Sequence, residues 1–375
     1  MCGIWSYIDL INKQIEYNKV LTLFNNFYEI NHRGPNMSDF KLINNVALGF
    51  HRLAILDLSF NSNQPYILTH NDKTIIFICN GEIYNYNDLI NKYNLDIHNN
   101  SDCLTIPKLY LLFDNMNDFV SLFNNNEIKG EFAFILFEYD KNLELNQMII
   151  GRDQIGVRPL YCNDINLNSD SILLSSEIKG MKFYNENVKE FEPGTILNIN
   201  FKNNNIKSYN FKTVYNIIET NENEEYYLEK IRNAVINSIK RRLISDKPIS
   251  FLLSGGVDSS IVAAVSSKIL NNTNINTFCC GMNNGTDLKY AKIVSDFIKS
   301  NHTEVIFSAD EALDTIKDVI YTTETWDTTT IRASVGQYLV SKYISTKTDF
   351  KVVLVGEGPD EICSSYLFNY YAPNG

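Results

Sequence analysis

The sequence predicts an α/β protein whose carboxy-terminal half is a doubly wound parallel sheet that binds a ligand at the carboxyl ends of its strands. The first observation is that short apolar runs alternate with amphipathic segments from residue 227 onward, which is typical of parallel strands joined by helices. The second is the stretch ISFLLSGGVDSSIVAAVSSKIL, in which a buried strand, a glycine turn and a helix follow one another from Ile249 to Leu270.

The glycine turn Ser254–Ser260 has the composition of an anion-binding loop. Gly255 and Gly256 allow backbone N–H groups to approach a ligand closely, and the start of the helix favours negative charge. Asp258 is unexpected beside an anion unless it holds a cation that bridges to phosphate. The simpler alternative is a polar turn with capping serines, and the full run SGGVDSS after a buried strand favours the phosphate loop.

Length and composition exclude several classes of protein. A chain of 375 residues suggests two or three domains, and a net charge of -11 without any basic run argues against a nucleic-acid surface. No signal peptide and no membrane-spanning stretch are expected. The seven cysteines are odd in number and show no CxxC spacing, which indicates a reduced, cytoplasmic compartment and no zinc site.

Cys2 is the second functional landmark. If Met1 is removed, Cys2 carries both a thiol and a free α-amine, whose reference pKa values are about 8.5 and about 7.7 to 8.0. The amine can then act as the base for its own thiol, so this nucleophile needs no histidine. Taken alone, Cys2 is better explained as a small buried residue next to the start codon, because free cysteine is commonly buried.

Further motifs in the first half decide between these alternatives. Together with Cys2 they resemble the class II glutamine amidotransferase domain over residues 2–211. The resemblance implies an α+β domain of the amino-terminal-nucleophile hydrolase type, with a four-layer α/β/β/α fold. The segments that carry it are HRGPN at 32–36, ALGFHRLAILDL at 47–58 (which we expect to form a strand pair), NGEIYN at 80–85, SDC at 101–103, GRDQIGVRPLY at 151–161 and SSEIKG at 175–180.

The resemblance assigns a role to each residue of a glutamine pocket. Cys2 would attack the glutamine amide and form a thioester, while the Asn80 side chain and the Gly81 N–H would form the oxyanion hole. Arg52 would bind the glutamine carboxylate, because its planar fork matches that group. The α-ammonium would meet Asp102 and Glu82, and the remaining predicted glutamine contacts are Leu53, Ala54, Ile55 and Leu56.

The second half resembles the N-type ATP pyrophosphatases through SGGVDSS. Because TTIRAS at 329–334 and GEGPDE at 356–361 follow, the order of domains resembles that of the B-type family of glutamine-hydrolysing asparagine synthetases. We expect a linker over 212–226 and a synthetase domain over 227–375. That domain should be incomplete at its carboxyl end, because in the family it continues with a long helical segment.

The family resemblance also implies ATP, Mg²⁺ and aspartate as ligands of the second half. Asp258 and Asp360 would hold Mg²⁺, Thr329 and Arg332 would contact aspartate, and Glu357 would assist formation of a β-aspartyl-AMP intermediate. Small-molecule substrates are expected, without nucleic acid or membrane, and a homodimer is compatible with the family. The predicted ATP contacts are Leu253, Ser254, Gly255, Gly256, Asp258, Ser259, Cys280, Val355 and Gly356.

Some positions depart from the family pattern, and they leave alternatives open. Val355 replaces a serine, and Pro359 removes a backbone N–H from the second ATP motif. Asn36 replaces an aspartate and Phe50 a histidine, but neither change touches the predicted catalytic residues. Two other functions therefore remain: a glutaminase with a disabled synthetase half, and a non-catalytic module that binds glutamine or ATP.

Overall fold

The computed structural model describes residues 1–97, 100–113, 115–182, 187–212, 222–271, 274–363 and 365–371. The chain divides into two compact units, Met1–Ile218 and Glu219–Gly375. Residues 213–221 of the predicted linker 212–226 lie outside the described residues. The next helix begins at Glu224, so the last residues assigned to the linker are helical.

In the described residues of the first unit, the strands form two antiparallel sheets of six strands each. The strands are β1 Gly3–Asp9, β2 Met37–Ile43, β3 Val46–Arg52, β4 Tyr66–His70, β5 Lys73–Ile83, β6 Gly130–Tyr139, β7 Leu145–Arg152, β8 Tyr161–Cys162, β9 Ser171–Ser175, β10 Lys189–Glu190, β11 Thr195–Asn200 and β12 Asn205–Asn210. The strand order is β10-β8-β9-β1-β3-β2 in one sheet and β12-β11-β7-β6-β5-β4 in the other. The helices are α1 Tyr17–Tyr28, α2 Tyr86–Tyr93, α3 Thr105–Leu112 and α4 Met116–Asn124.

The two sheets pack face to face and are covered by helices on their outer faces. Ile4, Phe50 and Ile135 belong to the buried layer between the sheets. On one outer side Phe27 of α1 packs with Trp5, and on the other Phe119 of α4 belongs to the core that covers β5 and β6. The predicted α/β/β/α fold is therefore confirmed.

Strand β5 explains why a continuous apolar run can form a strand in this fold. Successive side chains point to opposite faces, so Ile76 and Ile78 pack between the sheets while Phe77 and Cys79 face the helices. Both faces are buried, and the strand therefore needs apolar residues at every position. The predicted strand pair over 47–58 was wrong: β3 ends at Arg52, and the chain then leaves the sheet as a loop.

The second unit contains a parallel sheet with the order β15-β14-β13-β16. Helices α6 and α7 pack on one face and α9 on the other, as predicted for a doubly wound fold. None of the helices among the described residues is long and apolar enough to cross a membrane. The bounds are α5 Glu224–Arg242, β13 Ile249–Leu252, α6 Val257–Ile269, β14 Asn276–Met282, α7 Thr286–Ile298, β15 Asn301–Phe307, α8 Ala309–Thr323, α9 Thr328–Lys347, β16 Val352–Leu354, α10 Pro359–Cys363 and α11 Leu367–Tyr370.

The strand order locates the point where the direction of winding changes. From β13 the chain moves outward to β14 and β15 on one side, and later returns to β16 on the other side of β13. The crevice at the carboxyl ends of β13 and β16 is where open α/β sheets bind ligands. The segments Leu253–Gly256 and Val355–Gly358 begin at these two strand ends.

Candidate active sites

Cys2 lies at the start of β1, beside the end of β3. The β1–β3 register pairs Gly3 with His51, so Cys2 lies beside the next residues of β3. The Leu53 N–H lies 3.4 Å from Cys2 Sγ, and the thiol points at Leu53 O at 3.7 Å. Burial raises the pKa of the Cys2 thiol and lowers the pKa of the chain's α-amine, carried by Met1, to about 6. This lowered pKa belongs to the amine of Met1, which removal of Met1 would replace by the amine of Cys2.

A buried ionic cluster holds the backbone of Cys2 in place. Arg33 Nε donates to Cys2 O at 2.8 Å, and Arg33 Nη1 lies 2.7 Å from Glu177 Oε1. Lys179 and His32 pair with the other carboxylate oxygen at 2.8 and 3.0 Å. Burial alone would raise the pKa of Glu177, but the hydrogen bond from His32 and the charges of Arg33 and Lys179 lower it to about 2. The motifs HRGP and SSEIKG therefore meet behind the thiol.

A pocket opens beside the Cys2 thiol. Counted out to its open mouth, it contains about 360 Å³ of space. Most of the predicted glutamine-site residues line it, while Ala54, in the same loop, donates its N–H to Asn36 Oδ1 at 2.9 Å. Asn36 thus still supplies an acceptor oxygen. The lining residues are Cys2, Phe50, Arg52, Leu53, Ile55, Leu56, Ser62, Gln64, Tyr66, Cys79, Gly81, Glu82, Ser101, Asp102 and Cys103.

The two predicted oxyanion donors lie on β5: Gly81 lines this pocket, whereas Asn80, the residue before it, is not part of the lining. Asn80 is 1% exposed, and its Nδ2 has no hydrogen-bond partner among the described residues. A buried amide without a partner is costly, so this donor suits a site that is completed by a ligand. A Cβ at Gly81 would lie 2.5 Å from Glu131 O, so the backbone fits there only without a side chain.

Asp102, which is buried, and Glu82, which is partly buried, place two carboxyl groups at the same pocket. Asp102 Oδ2 accepts the Ile83 N–H at 2.6 Å, which fixes its position beside β5. Burial raises the pKa of Asp102 to about 6. Burial and the neighbouring Asp102 charge raise the pKa of Glu82 as well. A cation that enters the pocket would relieve this repulsion, which is what an α-ammonium group requires of its site.

Arg52 organises the loop that follows β3. Its Nη1 donates to Ser59 O at 2.8 Å and to Asn63 Oδ1 at 2.5 Å, and its Nη2 donates to Asp57 O. The edge of the guanidinium at Nε takes part in none of these three hydrogen bonds. That edge has the side-by-side geometry that binds a carboxylate through two hydrogen bonds.

Several residues of the pocket carry no role that the sequence predicts. Gln64, Tyr66, Ser101 and Cys103 line it without belonging to a predicted set. Arg158 lies 3.4 Å from Glu131 and is mostly buried. Burial alone would lower the pKa of Arg158, but the pKa is raised by the charges of Glu131, Tyr84, Glu82 and Cys2. Its motif GRDQIGVRPLY was recognised, but nothing in the motif indicates that Arg158 lies within electrostatic reach of the thiol.

The predicted phosphate loop has the expected geometry in the second unit. Gly255 has a φ of +83°, and a Cβ there would lie 2.4 Å from the Tyr290 carbonyl carbon. Ser254 and Ser259 hold the turn together, with their Oγ atoms 3.0 Å apart and the Ser254 N–H donating to Ser259 Oγ at 3.2 Å. Ser260 Oγ is buried and has no partner among the described residues.

The loop after β16 packs against the same helix terminus. A Cβ at Gly356 would lie 2.6 Å from the Ser259 nitrogen, so the two ATP motifs touch through backbone. Asp258 and Asp360, on these two segments, are both partly buried. No group of three or more His, Cys, Asp or Glu side chains capable of holding a metal occurs in the described ranges. Two carboxylates fit Mg²⁺, which binds phosphate and water as its other ligands.

Helix α9 brings the predicted aspartate contacts to this end of the sheet. Cys280 Sγ, near the end of β14, donates to Gly336 O of α9 at 3.1 Å. Arg332 lies one turn before Gly336, and Thr329 lies in the first turn of the helix. The next α9 residue, Gln337, donates to Glu357 Oε1 at 3.0 Å. Glu357 and Arg332 are therefore carried by segments that meet at the predicted ATP end, while Val355 is exposed beside them.

Both halves of the chain match known families. Residues 1–235 match the glutamine amidotransferase domain, and residues 230–375 match asparagine synthase. Three similar proteins are a "Probable asparagine synthetase [glutamine-hydrolyzing]" of Acanthamoeba polyphaga mimivirus, 34% identical, and the "Asparagine synthetase [glutamine-hydrolyzing]" proteins of Zea mays and Sandersonia aurantiaca, 34% and 36% identical. The alignments cover 100% of this chain and 69%, 61% and 69% of these relatives, respectively. The chain thus spans about two thirds of their length.

Proposed function

The chain belongs to the family of glutamine-hydrolysing asparagine synthetases, and on this premise we propose that it transfers ammonia from glutamine to aspartate with consumption of ATP. The reaction converts ATP, aspartate, glutamine and water to asparagine, glutamate, AMP and pyrophosphate. The enzyme is then a carbon–nitrogen ligase of asparagine biosynthesis. ATP is a substrate of the second unit, and glutamine is a substrate of the first.

One observation carries the proposal: a thiol, an arginine fork and two carboxylates meet at one pocket, and an unpaired buried amide donor lies on the strand that contributes Gly81 and Glu82 to its wall. These groups are Cys2, Asn80, Arg52, Glu82 and Asp102. They match the amide, the developing oxyanion, the carboxylate and the ammonium of glutamine, with both carboxylates assigned to the ammonium. A pocket that only bound glutamine would need neither a thiol at the chain terminus nor a spare amide donor.

Glutamine hydrolysis follows from these positions. The Cys2 amine, freed by removal of Met1, takes the thiol proton, and the thiolate attacks the side-chain carbonyl carbon of glutamine. Asn80 Nδ2 and the Gly81 N–H donate to the oxyanion. Collapse of the tetrahedral intermediate releases ammonia, with the proton returned by the amine. Water then hydrolyses the γ-glutamyl thioester to glutamate and restores the thiol.

Asparagine formation uses the second unit. The β-carboxylate of aspartate attacks the α-phosphorus of ATP on the Ser254–Ser260 loop, pyrophosphate leaves, and ammonia then displaces AMP from β-aspartyl-AMP. Arg332 and Thr329 contact aspartate, and Glu357 assists formation of the adenylate. Asp258 and Asp360 would hold Mg²⁺, which when bound neutralises phosphate charge. The contacts proposed for ATP remain Leu253, Ser254, Gly255, Gly256, Asp258, Ser259, Cys280, Val355 and Gly356.

The proposal is tested by following three products in one assay. The purified chain is incubated with glutamine, with or without aspartate and magnesium ATP, and glutamate, asparagine and pyrophosphate are measured separately. Asparagine and pyrophosphate in equal amounts support the synthetase reaction. Glutamate without pyrophosphate favours the glutaminase alone, and no glutamate under any condition contradicts the catalytic assignment of the first unit.

A further inference from the structure

We propose that Gln64 is a positioning residue for the oxyanion hole, because its side-chain amide completes the edge of β5 at Cys79 and so fixes the orientation of Asn80. The inference deepens the proposed glutamine hydrolysis and rests on it. Gln64 is 6% exposed and lies in the loop before β4, outside every motif that the sequence reasoning used.

The register of the sheet shows what Gln64 replaces. Strand β4 pairs with β5 from Tyr66 opposite Phe77 to His70 opposite Lys73. Two residues further along, position 64 would face Cys79, but β4 begins only at Tyr66. The Gln64 side chain occupies this place: its Oε1 accepts the Cys79 N–H at 2.6 Å, and its Nε2 donates to Cys79 O at 3.2 Å. A carboxamide has the donor and the acceptor of a peptide group, so it continues the ladder without a strand.

The same edge of β5 then becomes the pocket wall. In an antiparallel ladder, alternate residues turn their N–H and C=O groups to the same side. Cys79, Gly81 and Ile83 therefore share one edge. Ile83 N–H donates to Asp102 Oδ2 at 2.6 Å, and Gly81 O accepts the Cys103 thiol at 3.4 Å. The Gly81 N–H points along this edge, between the groups that Gln64 and Asp102 hold.

The position of the Asn80 side chain depends on the backbone peptide groups of Cys79. It follows Cys79 directly, and its buried Nδ2 is aimed by the backbone of β5. Without the Gln64 amide, both polar backbone groups of Cys79 would be buried without partners, because Cys79 is 1% exposed. The strand end would shift to find new partners and would move Asn80 and Gly81 with it. Both ends of the Gln64 amide bond Cys79, so the role proposed for Gln64 is exerted through the strand, and an unchanged KM for glutamine is what separates it from a direct contact with the substrate.

A double-mutant cycle tests this assignment. Gln64→Met keeps the size of the side chain but removes both hydrogen bonds. It should lower kcat for glutamine hydrolysis by about 10-fold to 100-fold, and the upper value is comparable to the loss of kcat when one oxyanion donor is removed. The KM for glutamine should stay within about 3-fold, because Arg52, Glu82 and Asp102 are unchanged. In an Asn80→Ala background, Gln64→Met should cost only about 3-fold more, because the effects of two residues that act as one unit are not additive.

Two controls separate positioning from loss of structure. Gln147→Met, which removes a half-buried amide from β7, should leave kcat unchanged. Alkylation of Cys2 by iodoacetamide should proceed at the same rate in the wild-type chain and in Gln64→Met. An equal fold-loss in both backgrounds, or a higher KM at unchanged kcat, would overturn the positioning role while leaving glutamine hydrolysis in place. A wild-type chain that does not hydrolyse glutamine would overturn the proposed function, and this inference with it.

A second variant covers the case in which Gln64→Met does not fold. In Gln64→Glu, the ionised carboxylate can accept the Cys79 N–H but repels Cys79 O, whereas the protonated acid supplies both an O–H donor and an acceptor. The activity of Gln64→Glu relative to the wild type should therefore rise as the pH is lowered. A ratio that does not change with pH would contradict the inference.

Discussion

Replacing Glu177 by glutamine should destabilise the first unit by roughly 3 kcal/mol and slow glutamine hydrolysis. The Glu177 carboxylate pairs with both Arg33 and Lys179, which are also buried. The fall of its pKa from the ordinary value of 4.5 to about 2 corresponds to roughly 3 kcal/mol of favourable interaction. Its side chain is only 11% exposed, so solvent screening reduces this value little. Removal of one partner from a buried pair typically costs about 3 to 5 kcal/mol.

The pH dependence of stability gives an independent check on the contribution of Glu177. The pKa of Glu177 is lowered in the folded state, so its contribution is fully present above about pH 4.5. The contribution is lost as the pH falls toward 2, because both states then bind the proton. The stability difference between the wild type and Glu177→Gln should therefore be greatest near neutral pH and should shrink below about pH 4.5.

Tryptophan fluorescence can report the unfolding of the first unit alone. The chain has two tryptophans, and Trp5 is fully buried and donates to Gly180 O at 2.8 Å, close to the cluster. Trp326 is 87% exposed in the second unit, so Trp326→Phe leaves Trp5 as the sole probe. Urea unfolding then gives the free energy of unfolding at each pH.

Glu192→Gln is the matched control, because Glu192 pairs with Lys212 but is 63% exposed. An exposed pair contributes about 0 to 1 kcal/mol. If Glu177→Gln destabilised the unit no more than Glu192→Gln does, the buried cluster would not stabilise the unit and the reasoning would be refuted. The kcat for glutamine should also fall in Glu177→Gln, because Arg33 would no longer be held against Cys2 O.

Three further predictions concern the two sites. Cys2→Ala should abolish glutamate release from a folded chain, and it should still make asparagine from added ammonia if the second unit is active. The KM for glutamine should rise as the pH falls below about 6, because only ionised carboxylates bind the ammonium group. Burial raises the pKa of Asp102 to about 6 and raises the pKa of Glu82 as well. The variant Asp102→Asn should therefore flatten the dependence of KM on pH. Asp258→Asn should stop pyrophosphate release but not glutaminase activity, with magnesium-dependent ATP binding to the unmutated chain as the control. A silent Asp258→Asn would instead identify a helix cap, because Asn caps about as well as Asp.

The fold class was predictable because the signals that specify it are local. The run Ile75–Cys79 is apolar at every position and forms a strand that is buried on both faces. Ser254–Ser260 joins a strand to a helix through a glycine at positive φ, as the composition indicated. The strand pair over 47–58 was wrong because Arg52 draws the following loop onto its own guanidinium, and this tertiary contact has no sequence period.

The residues that meet at the candidate site were predictable only where a motif carries them. Cys2, Arg52, Gly81, Glu82 and Asp102 line one pocket, although they are far apart in the sequence. Gln64 and Arg158 could not be predicted, because their roles depend on strand register and on burial. Gln64 completes a sheet edge that only the β4–β5 register reveals.

The most direct test of the central claim is mass spectrometry of the chain quenched in acid during turnover of glutamine. We predict a protein that begins at Cys2 and carries one γ-glutamyl group, which peptide mapping places on the Cys2 thiol and which Cys2→Ala lacks. A chain that releases glutamate while retaining Met1, or that carries the γ-glutamyl group on another residue, would contradict the account.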